Sequence, residues 1–409
     1  LQEVFAQFGL TVSVLTGESS EEARAGAYAG LADGSVNCVL TTPEFLSIHA
    51  ARFAQSGRVG FVVVDEAHHV ALARAGNRSA YATLDATLAT LGNPLVLAVT
   101  ATAGTQESEV IRSVLSIDEL VLDPTVRENL HVDDHRDVRD REQYLAGIVA
   151  SGGKCVAYVN SRDQSLSLAR MLRKRLPNLA PYIGFYNAGL SKPDRKAIED
   201  AFRKGELRCI ISTSAFGEGI DIPDIEHVIL YHLPFNDIEF NQMSGRAGRD
   251  GRDATIHLLF GYGDARINET ILESGAPPRE ALVVLYRVLR ELAQRAQAKG
   301  DGGFSCANRE LADRAMKLDR HVKLDESSVS CGISVFRELG FIETSGASVA
   351  RYITLVPDPG HMELGDSVRY REGLDELEVF KAFKGWVLKA DARQLLERFN
   401  RPILPDGMA

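Results

Sequence analysis

Short apolar runs separated by amphipathic segments recur through the first 260 residues of this 409-residue chain, and they restrict its fold more than any other feature. VSVLTG (12–17), CVLTT (38–42), FVVVDEAH (61–68) and LVLAVTAT (95–102) read as strands. Their Val and Leu residues fall on both faces, as in parallel strands covered from both sides. Ala-rich segments between them read as helices, and this alternation predicts a parallel sheet between two helical layers. After a charged link around 131–141 the pattern resumes. KCVAYVNS (154–161), APYIGFY (180–186), LRCIISTS (207–214), HVILYHLP (227–234) and TIHLLFG (255–261) are strands, with helices such as SLSLARMLRKRL (165–176) and RKAIEDAFRKG (195–205) between them. The expected boundaries are 1–130 and 131–263.

Beyond 263 the strand pattern stops. PPREALVVLYRVLRELAQRAQ (277–297) is an amphipathic helix within a helical linker spanning 264–300, followed by a Gly-rich break. NRELADRAMKL (308–318), ESSVSCGISVFRELG (326–340) and the hairpin FIETSGASVARYITLV (341–356) follow. Helix, helix and hairpin in this order predict a winged helix over 301–360. Ser327 or Ser328 is the expected cap of its second helix. That helix would be the recognition helix, with Arg337 on it and Arg351 on the wing. The remainder, 361–409, reads as a helical tail. Its Phe380, Phe383 and Trp386 are expected to pack the tail onto the winged helix, the alternative being a role in stacking on DNA.

Composition excludes several classes. With 45% hydrophobic and 25% charged residues the chain is neither disordered nor fibrous. Its net charge of −10 does not advertise a nucleic-acid binder, so any such role needs a local basic face. Lys and Arg number 7 against 15 Asp and Glu through residue 130, and 18 against 18 from 131 to 260. The five cysteines form no C-x-x-C pair, which argues against a zinc site and for reduced thiols in a cytoplasmic protein. No apolar run approaches the roughly 20 residues of a membrane span.

Two short segments carry chemistry. Asp65-Glu66-Ala67-His68 closes an apolar strand, and strand ends are where open α/β sheets place ligands. Asp65 can hold the water shell of a magnesium ion on nucleotide phosphates, and Glu66 can polarise an attacking water. A solvated acidic turn is the bland alternative. Gln242-Met243-Ser244-Gly245-Arg246-Ala247-Gly248-Arg249 sets two arginines three apart among glycines. Guanidinium forks of this kind stabilise charge in phosphoryl transfer. Here the bland alternative is a surface helix with solvated arginines.

The ordered set of motifs resembles superfamily 2 helicases, and within them the RecQ type, over roughly residues 5–260. Asp65 to His68 resemble the second motif of that family, Thr100-Ala101-Thr102 the third, and Gln242 to Arg249 the sixth. Thr41-Thr42-Pro43-Glu44 is similar to a segment that touches the nucleic-acid backbone in relatives. Val159-Asn160-Ser161-Arg162 resembles the motif that opens the second domain. Tyr186-Asn187-Ala188-Gly189-Leu190 is similar to a RecQ-type Tyr-His-Ala-Gly-Leu element. Ala215-Phe216-Gly217-Glu218-Gly219-Ile220-Asp221 resembles the fifth motif.

The resemblance implies an ATP-dependent DNA helicase of repair or recombination, with two RecA-like α/β domains, ATP and Mg2+ as cofactors, and single-stranded or partly single-stranded DNA as partner. It implies that Asp65 and Glu66 bind Mg2+ and ATP, together with Gly219, Asp221, Arg246 and Arg249. Arg246 and Arg249 would be arginine fingers reaching across the domain cleft, and His68 and Gln242 would relay between nucleotide and DNA. Thr100 and Thr102 would couple the motifs and, with Thr41, Thr42, Pro43, Asn160, Ser161, Arg162 and Thr213, contact DNA.

Three departures qualify that picture. No Gly-x-x-x-x-Gly-Lys-[Ser/Thr] phosphate loop occurs, so the first RecA-like domain is expected to be truncated at its N-terminus and inactive as it stands. The segment after His68, His69-Val70-Ala71-Leu72-Ala73-Arg74, lacks the aromatic-rich run of RecQ helicases, and His69 reads as a loop histidine. No cysteines supply the RecQ zinc segment. The tail also resembles, loosely, the C-terminal end of RecJ-type single-strand exonucleases. The alternative is therefore a non-motor DNA-binding or docking module joined to an upstream nuclease domain.

Overall fold

The computed structural model describes residues 2–73, 79–217, 222–346, 351–360 and 363–405. They divide into two compact units, 1–125 with 402–409, and 126–401.

Unit 1 contains α1 (Gln2–Gln7), β1 (Val12–Leu15), α2 (Glu21–Asp33), β2 (Cys38–Thr41), α3 (Pro43–Ala54), β3 (Phe61–Val64), α4 (His68–Leu72), α5 (Ser79–Ala82), α6 (Leu84–Thr90), β4 (Leu95–Ala98) and α7 (Thr105–Leu115). Strands β1 and β2 pair in parallel, as do β3 and β4, in two separate sheets. Local signals set the helix ends. The Ser20 hydroxyl accepts from the Ala23 amide at the start of α2, and Gly34 closes that helix at φ 85°, which a side chain would resist. Val64, Ala67, Leu88 and Ile111 belong to the core of this unit. The expectation of strands covered on both faces fails here. Phe61 and Val63 are 54% and 53% exposed and Leu95 is 71% exposed. Among the described residues, helices cover only the other face, which carries Val62, Val64, Val96 and Ala98.

Unit 2 opens with β5 (Leu130–Asp134), α8 (Arg141–Ser151), β6 (Cys155–Tyr158), α9 (Arg162–Arg175), β7 (Ile183–Tyr186), α10 (Lys192–Arg203), β8 (Cys209–Ser212), β9 (His227–Leu230), α11 (Asp237–Ser244), β10 (Ala254–Leu258) and α12 (Tyr262–Glu273). Six parallel strands run in the order β5-β10-β9-β6-β8-β7. Successive residues feed opposite cores. Val156, Tyr158, Ile210 and Leu230 enter one, Cys155, Ala157, Ile211 and Ile229 the other. The two faces are covered, as parallel strands require.

The chain continues through α13 (Arg279–Gln297), β11 (Phe304–Ser305), α14 (Asn308–Leu318), α15 (Glu326–Glu338), β12 (Ile342–Ser345), β13 (Tyr352–Leu355), α16 (Val368–Val387) and α17 (Ala392–Phe399). The short strands form an antiparallel sheet in the order β11-β13-β12, and α13 to α15 pack on it around Leu285, Leu311 and Ile333. Asp325, not Ser327 or Ser328, caps α15. Its carboxylate accepts from the Ser328 amide at 2.7 Å and the Ser328 hydroxyl at 2.8 Å. A carboxylate also complements the helix dipole there.

The tail is two helices, and its Phe380, Phe383 and Trp386 pack on the α/β core rather than on the 301–360 region, which the tail meets through Tyr370. Phe383 and Phe399 lie 6.0 and 5.5 Å from the Phe240 ring of α11, and Trp386 meets Phe240 edge-on at 6.2 Å. Arg136 secures the end of α16 by donating to the carbonyls of Val387 at 2.6 Å and Ala390 at 2.8 Å. Among the described residues no helix is long and apolar enough to cross a membrane.

Candidate functional site

In unit 1 the acidic motif sits where β3 ends. The Ala67 amide donates to the Val99 carbonyl and the Val99 amide to the Val64 carbonyl, both at 2.9 Å, so the turn is tied to the end of β4. Between these ties Glu66 adopts φ 49°, a left-handed conformation that costs a non-glycine residue about 1–3 kcal/mol. Its amide donates to Asp65 Oδ1 at 2.9 Å. His68, fully buried, places Nδ1 3.3 Å from Glu66 Oε2 and 3.2 Å from Thr100 Oγ1. Thr100 Oγ1 in turn accepts from the Thr102 amide at 3.2 Å. Asp65, Glu66, His68, Thr100 and Thr102 thus form one connected group.

Two atoms of this group, His68 Nε2 and Thr102 Oγ1, are buried without a hydrogen-bond partner. Desolvated polar atoms without partners are costly, and they concentrate where a site awaits a ligand or a second conformation. Thr102 itself is only 4% exposed. The flanking Ala101 carbonyl and Ala103 amide bond to Ile403, so this strand end faces chain rather than an open surface. Asp65 and Glu66 are exposed. Among the described residues no group of three or more His, Cys, Asp or Glu could hold a metal ion. The carboxylate pair suits a magnesium ion that takes its other ligands from water and phosphate oxygens. The sequence contains no phosphate loop, so these residues fit the metal end of a nucleotide and not a complete phosphate cradle.

The Thr41–Pro43 segment works locally. Thr42 caps α3, its hydroxyl accepting from the Phe45 amide at 3.3 Å, and Pro43 occupies the first helical position. Thr41 Oγ1 is buried without a partner. His69, read as a loop residue, lies on α4, its ring 4.2 Å from that of His68 and 5.5 Å from that of Tyr81. The helix forms because Val70 enters the unit 1 core.

In unit 2 the carboxyl ends of β6, β8 and β7, adjacent in the sheet, gather Asn160–Arg162, Thr213 and Asn187–Leu190. Asn160 is committed internally. Its side-chain amide donates to the Leu233 carbonyl at 2.9 Å and to Asn268 Oδ1 at 2.7 Å, a partner on α12 that sequence spacing does not reveal. Ser161 caps α9 by accepting from the Gln164 amide at 3.2 Å. Arg162 opens that helix on the surface, and the Thr213 amide donates to the Tyr186 carbonyl at 3.3 Å.

Gln242 lies on α11, and the two arginines follow it in a tight loop. Arg246 donates to the Gly217 carbonyl, linking the sixth-motif segment to the fifth. Exposed Arg249 turns back to the Gly245 carbonyl, Nε to O 3.2 Å. Gly219 and Asp221 lie outside the described residues. Beneath the arginines Tyr158 donates to the Phe216 carbonyl at 2.8 Å. Burial pushes its pKa up to about 12 against the opposing charges of Arg246 and Arg249, so it stays a neutral donor. Two residues escaped the sequence reading altogether. Arg127 and Asn129 donate into the arginine loop from positions about 120 residues away in sequence, which no local pattern signals. Arg351, in the β12–β13 hairpin just before β13, donates to Asn308 Oδ1 at the start of α14.

Residues 1–110 match the profile of DEAD/DEAH box helicases, and residues 140–251 that of the helicase conserved C-terminal domain. The chain therefore carries two RecA-like parallel-sheet domains with the two sequence signatures of a helicase core. Its relatives at about 30% identity are RecQ-type helicases. The probable ATP-dependent DNA helicase RecS of Bacillus subtilis is 31% identical over 264 residues, which is 63% of this chain and 53% of that protein. The mouse bifunctional 3'-5' exonuclease/ATP-dependent helicase WRN is 30% identical over 252 residues, 58% of this chain and 18% of that protein. This chain thus spans about half the length of the Bacillus relative. Among solved structures, Mycobacterium smegmatis helicase Lhr bound to ssDNA and AMP-PNP aligns with TM-score 0.51 at 19% identity, over 88% of this chain and 50% of that one. The DUF1998 helicase MrfA bound to DNA and AMPPNP aligns with TM-score 0.52 at 15% identity, over 89% and 52%. These two likenesses concern the fold.

Proposed function

We propose that this chain is the motor region of a RecQ-like DNA helicase, in which ATP hydrolysis drives movement along single-stranded DNA. The observation that carries the reading is the connected group Glu66–His68–Thr100–Thr102 at the end of β3 and β4. It joins the carboxylate that would polarise water to the strand-end threonines through a buried imidazole. A proton or conformational change at Glu66 is therefore felt at Thr100 without passing through solvent.

In this reading Asp65 and Glu66 hold Mg2+, which when bound neutralises phosphate charge. Glu66 orients the attacking water and accepts its proton. His68 Nδ1 holds the Glu66 carboxylate in place. Arg246 and Arg249 stabilise charge on the triphosphate, and Gln242 lies one turn before them on α11. The surface around Arg162 and Thr213 contacts the DNA backbone through phosphates, without reading sequence. Thr42 and Ser161 offer helix N-termini as further phosphate sites. The 301–360 region is read as a winged helix on its order of helices and hairpin. Its DNA-facing side would be the exposed Arg337 on α15 rather than Arg351.

The test is DNA-stimulated ATP hydrolysis by the full gene product. Glu66→Gln should lower turnover at least about 100-fold while leaving DNA binding intact. Chelation of Mg2+ should abolish hydrolysis. DNA affinity should fall as salt rises, since phosphate contacts dominate. Equal turnover of the Glu66→Gln protein and the parent would overturn the motor reading.

A further inference from the structure

The loop carrying Arg246 and Arg249 is held partly by its own bonds, such as Gly251 N–H to the Gly248 carbonyl at 3.1 Å and the Asp250–Arg252 pair at 2.6 Å. It is also gripped from outside. Arg127 donates Nη1 to the Gly245 carbonyl at 3.1 Å and Nη2 to the Ala247 carbonyl. Asn129 donates its side-chain amide to the carbonyls of Gly248, at 2.8 Å, and Arg252, at 2.7 Å. Four carbonyls of an eight-residue loop are thus gripped by two side chains from the turn that leads into β5.

The grip explains the glycine between the arginines. Gly248 sits at φ 54°, and a Cβ there would come within 2.6 Å of both the Arg252 carbonyl and the Asn129 amide. Backbone ties anchor the same stretch. The Asn129 carbonyl accepts from the Ala254 amide at 2.9 Å, and the Gly248 amide donates to the Ile225 carbonyl at 2.8 Å.

One carbonyl has a dual role. Gly245 O accepts from Arg127 at 3.1 Å and from Arg249 at 3.2 Å. When Arg249 turns away toward an anion, Arg127 still donates to that acceptor. Two guanidiniums on one oxygen also repel each other. Burial, and after it the charge of Arg249, lowers the pKa of Arg127.

We propose that Arg127 and Asn129 are positioning residues for the arginine pair. Arg127 acts as the fixed partner that lets Arg249 leave Gly245 for a phosphate, and Asn129 as the clamp that holds the left-handed turn at Gly248. The inference rests on the reading of Arg246 and Arg249 as groups that meet nucleotide phosphates, and it adds two residues that the motif pattern does not contain.

The experiment uses the full gene product with Arg127→Met, Arg127→Lys and Asn129→Ala, read out by DNA-stimulated ATP hydrolysis and by amide hydrogen exchange of the 245–252 segment. Arg127→Met should lower kcat roughly 10- to 100-fold while KM for ATP moves less than about threefold, because misplaced catalytic groups cost turnover more than binding. Arg127→Lys should recover part of the loss, since it restores charge and one donor but not the fork. Exchange in 245–252 should quicken at least about tenfold in Arg127→Met and Asn129→Ala, with the rest of unit 2 unchanged. Unchanged exchange in this segment overturns the inference whether or not ATP is hydrolysed. Faster exchange with kcat within about twofold of the parent overturns the link to turnover. Should Arg127→Met loosen the whole unit, the Lys and Asn129→Ala variants decide by the same criteria. A parent protein that hydrolyses no ATP contradicts the motor reading instead, and leaves the exchange measurement to judge the positioning role.

Discussion

Strands β6 and β8 lie within a six-stranded sheet and every one of their residues is buried, whereas β3 and β4 form an isolated pair with one face bare. The segments look alike as strings. CVAY and CIIS in unit 2 are no more apolar than FVVV and LVLA in unit 1. What differs is the company. In unit 2 the faces of the sheet meet α8, α9, α11 and the tail helices, and successive side chains fall into two cores. In unit 1 only one side of β3 and β4 meets helices, so alternate residues stay in solvent. An apolar strand face announces a demand for cover, and whether that demand is met depends on which other elements are present. The acidic motif ends the half-covered sheet and the arginine loop borders the fully covered one.

The largest effect expected from this contrast is in the tail-to-sheet core. Phe240→Ala removes a fully buried ring that touches Phe383, Trp386 and Phe399. It should cost about 3–5 kcal/mol in unfolding by denaturant. A cost near zero would mean that the tail is not part of the unit 2 core.

Acid should weaken unit 2 next most strongly. His257 is buried, with its Nδ1 3.1 Å from the Tyr144 hydroxyl and its Nε2 3.1 Å from His227 Nδ1, while Asp133 lies 3.4 Å away and His135 pairs with Asp133. Desolvation, helped by the charge of His227, pushes the His257 pKa down to about 4. An unfolded histidine titrates near 6.5, so between about pH 6.5 and 4 the unfolded chain binds the extra proton. Stability is full above that window and falls as pH drops through it, by up to about 3 kcal/mol. His257→Gln should flatten this slope in denaturation measured across pH 4–7, and an unchanged slope would assign it to other groups.

Arg136 should matter less. It pairs with Asp134 at 2.6 Å and holds the carbonyls of Val387 and Ala390. Arg136→Met leaves those acceptors without this donor, which should cost about 1–3 kcal/mol and loosen the end of α16 in hydrogen exchange. The smallest effect is expected on the bare face. Val63→Thr should change stability by less than about 0.5 kcal/mol. A loss of 2 kcal/mol or more there would show that the face is covered in solution, and would erase the contrast between the two sheets.

Much of the framework was legible in the string. Helix α14 begins and ends at Asn308 and Leu318, where its apolar period placed it, and each expected strand of the two α/β units is present. The pairing of Asp65 and Glu66 at a strand end was also legible, because an apolar run followed by acidic residues has few other foldings. Less local features were hidden. The α15 cap went to Asp325 rather than to a serine because Asp325, two positions before Ser327, has the extended backbone a cap requires. Asn160 looked like a surface ligand until Asn268, 108 residues on, took up its amide.

Sequence alone determined the local periods and hence the strand and helix order, the absence of a phosphate loop and the residue types available for phosphate chemistry. These follow from short-range stereochemistry and from the alternation of apolar and polar side chains. Tertiary structure decided which apolar faces are covered, that the tail completes the second sheet's core, and that Arg127 and Asn129 grip the arginine loop. Such outcomes depend on contacts between residues more than 100 positions apart, and no local pattern of side chains encodes which distant partner will arrive.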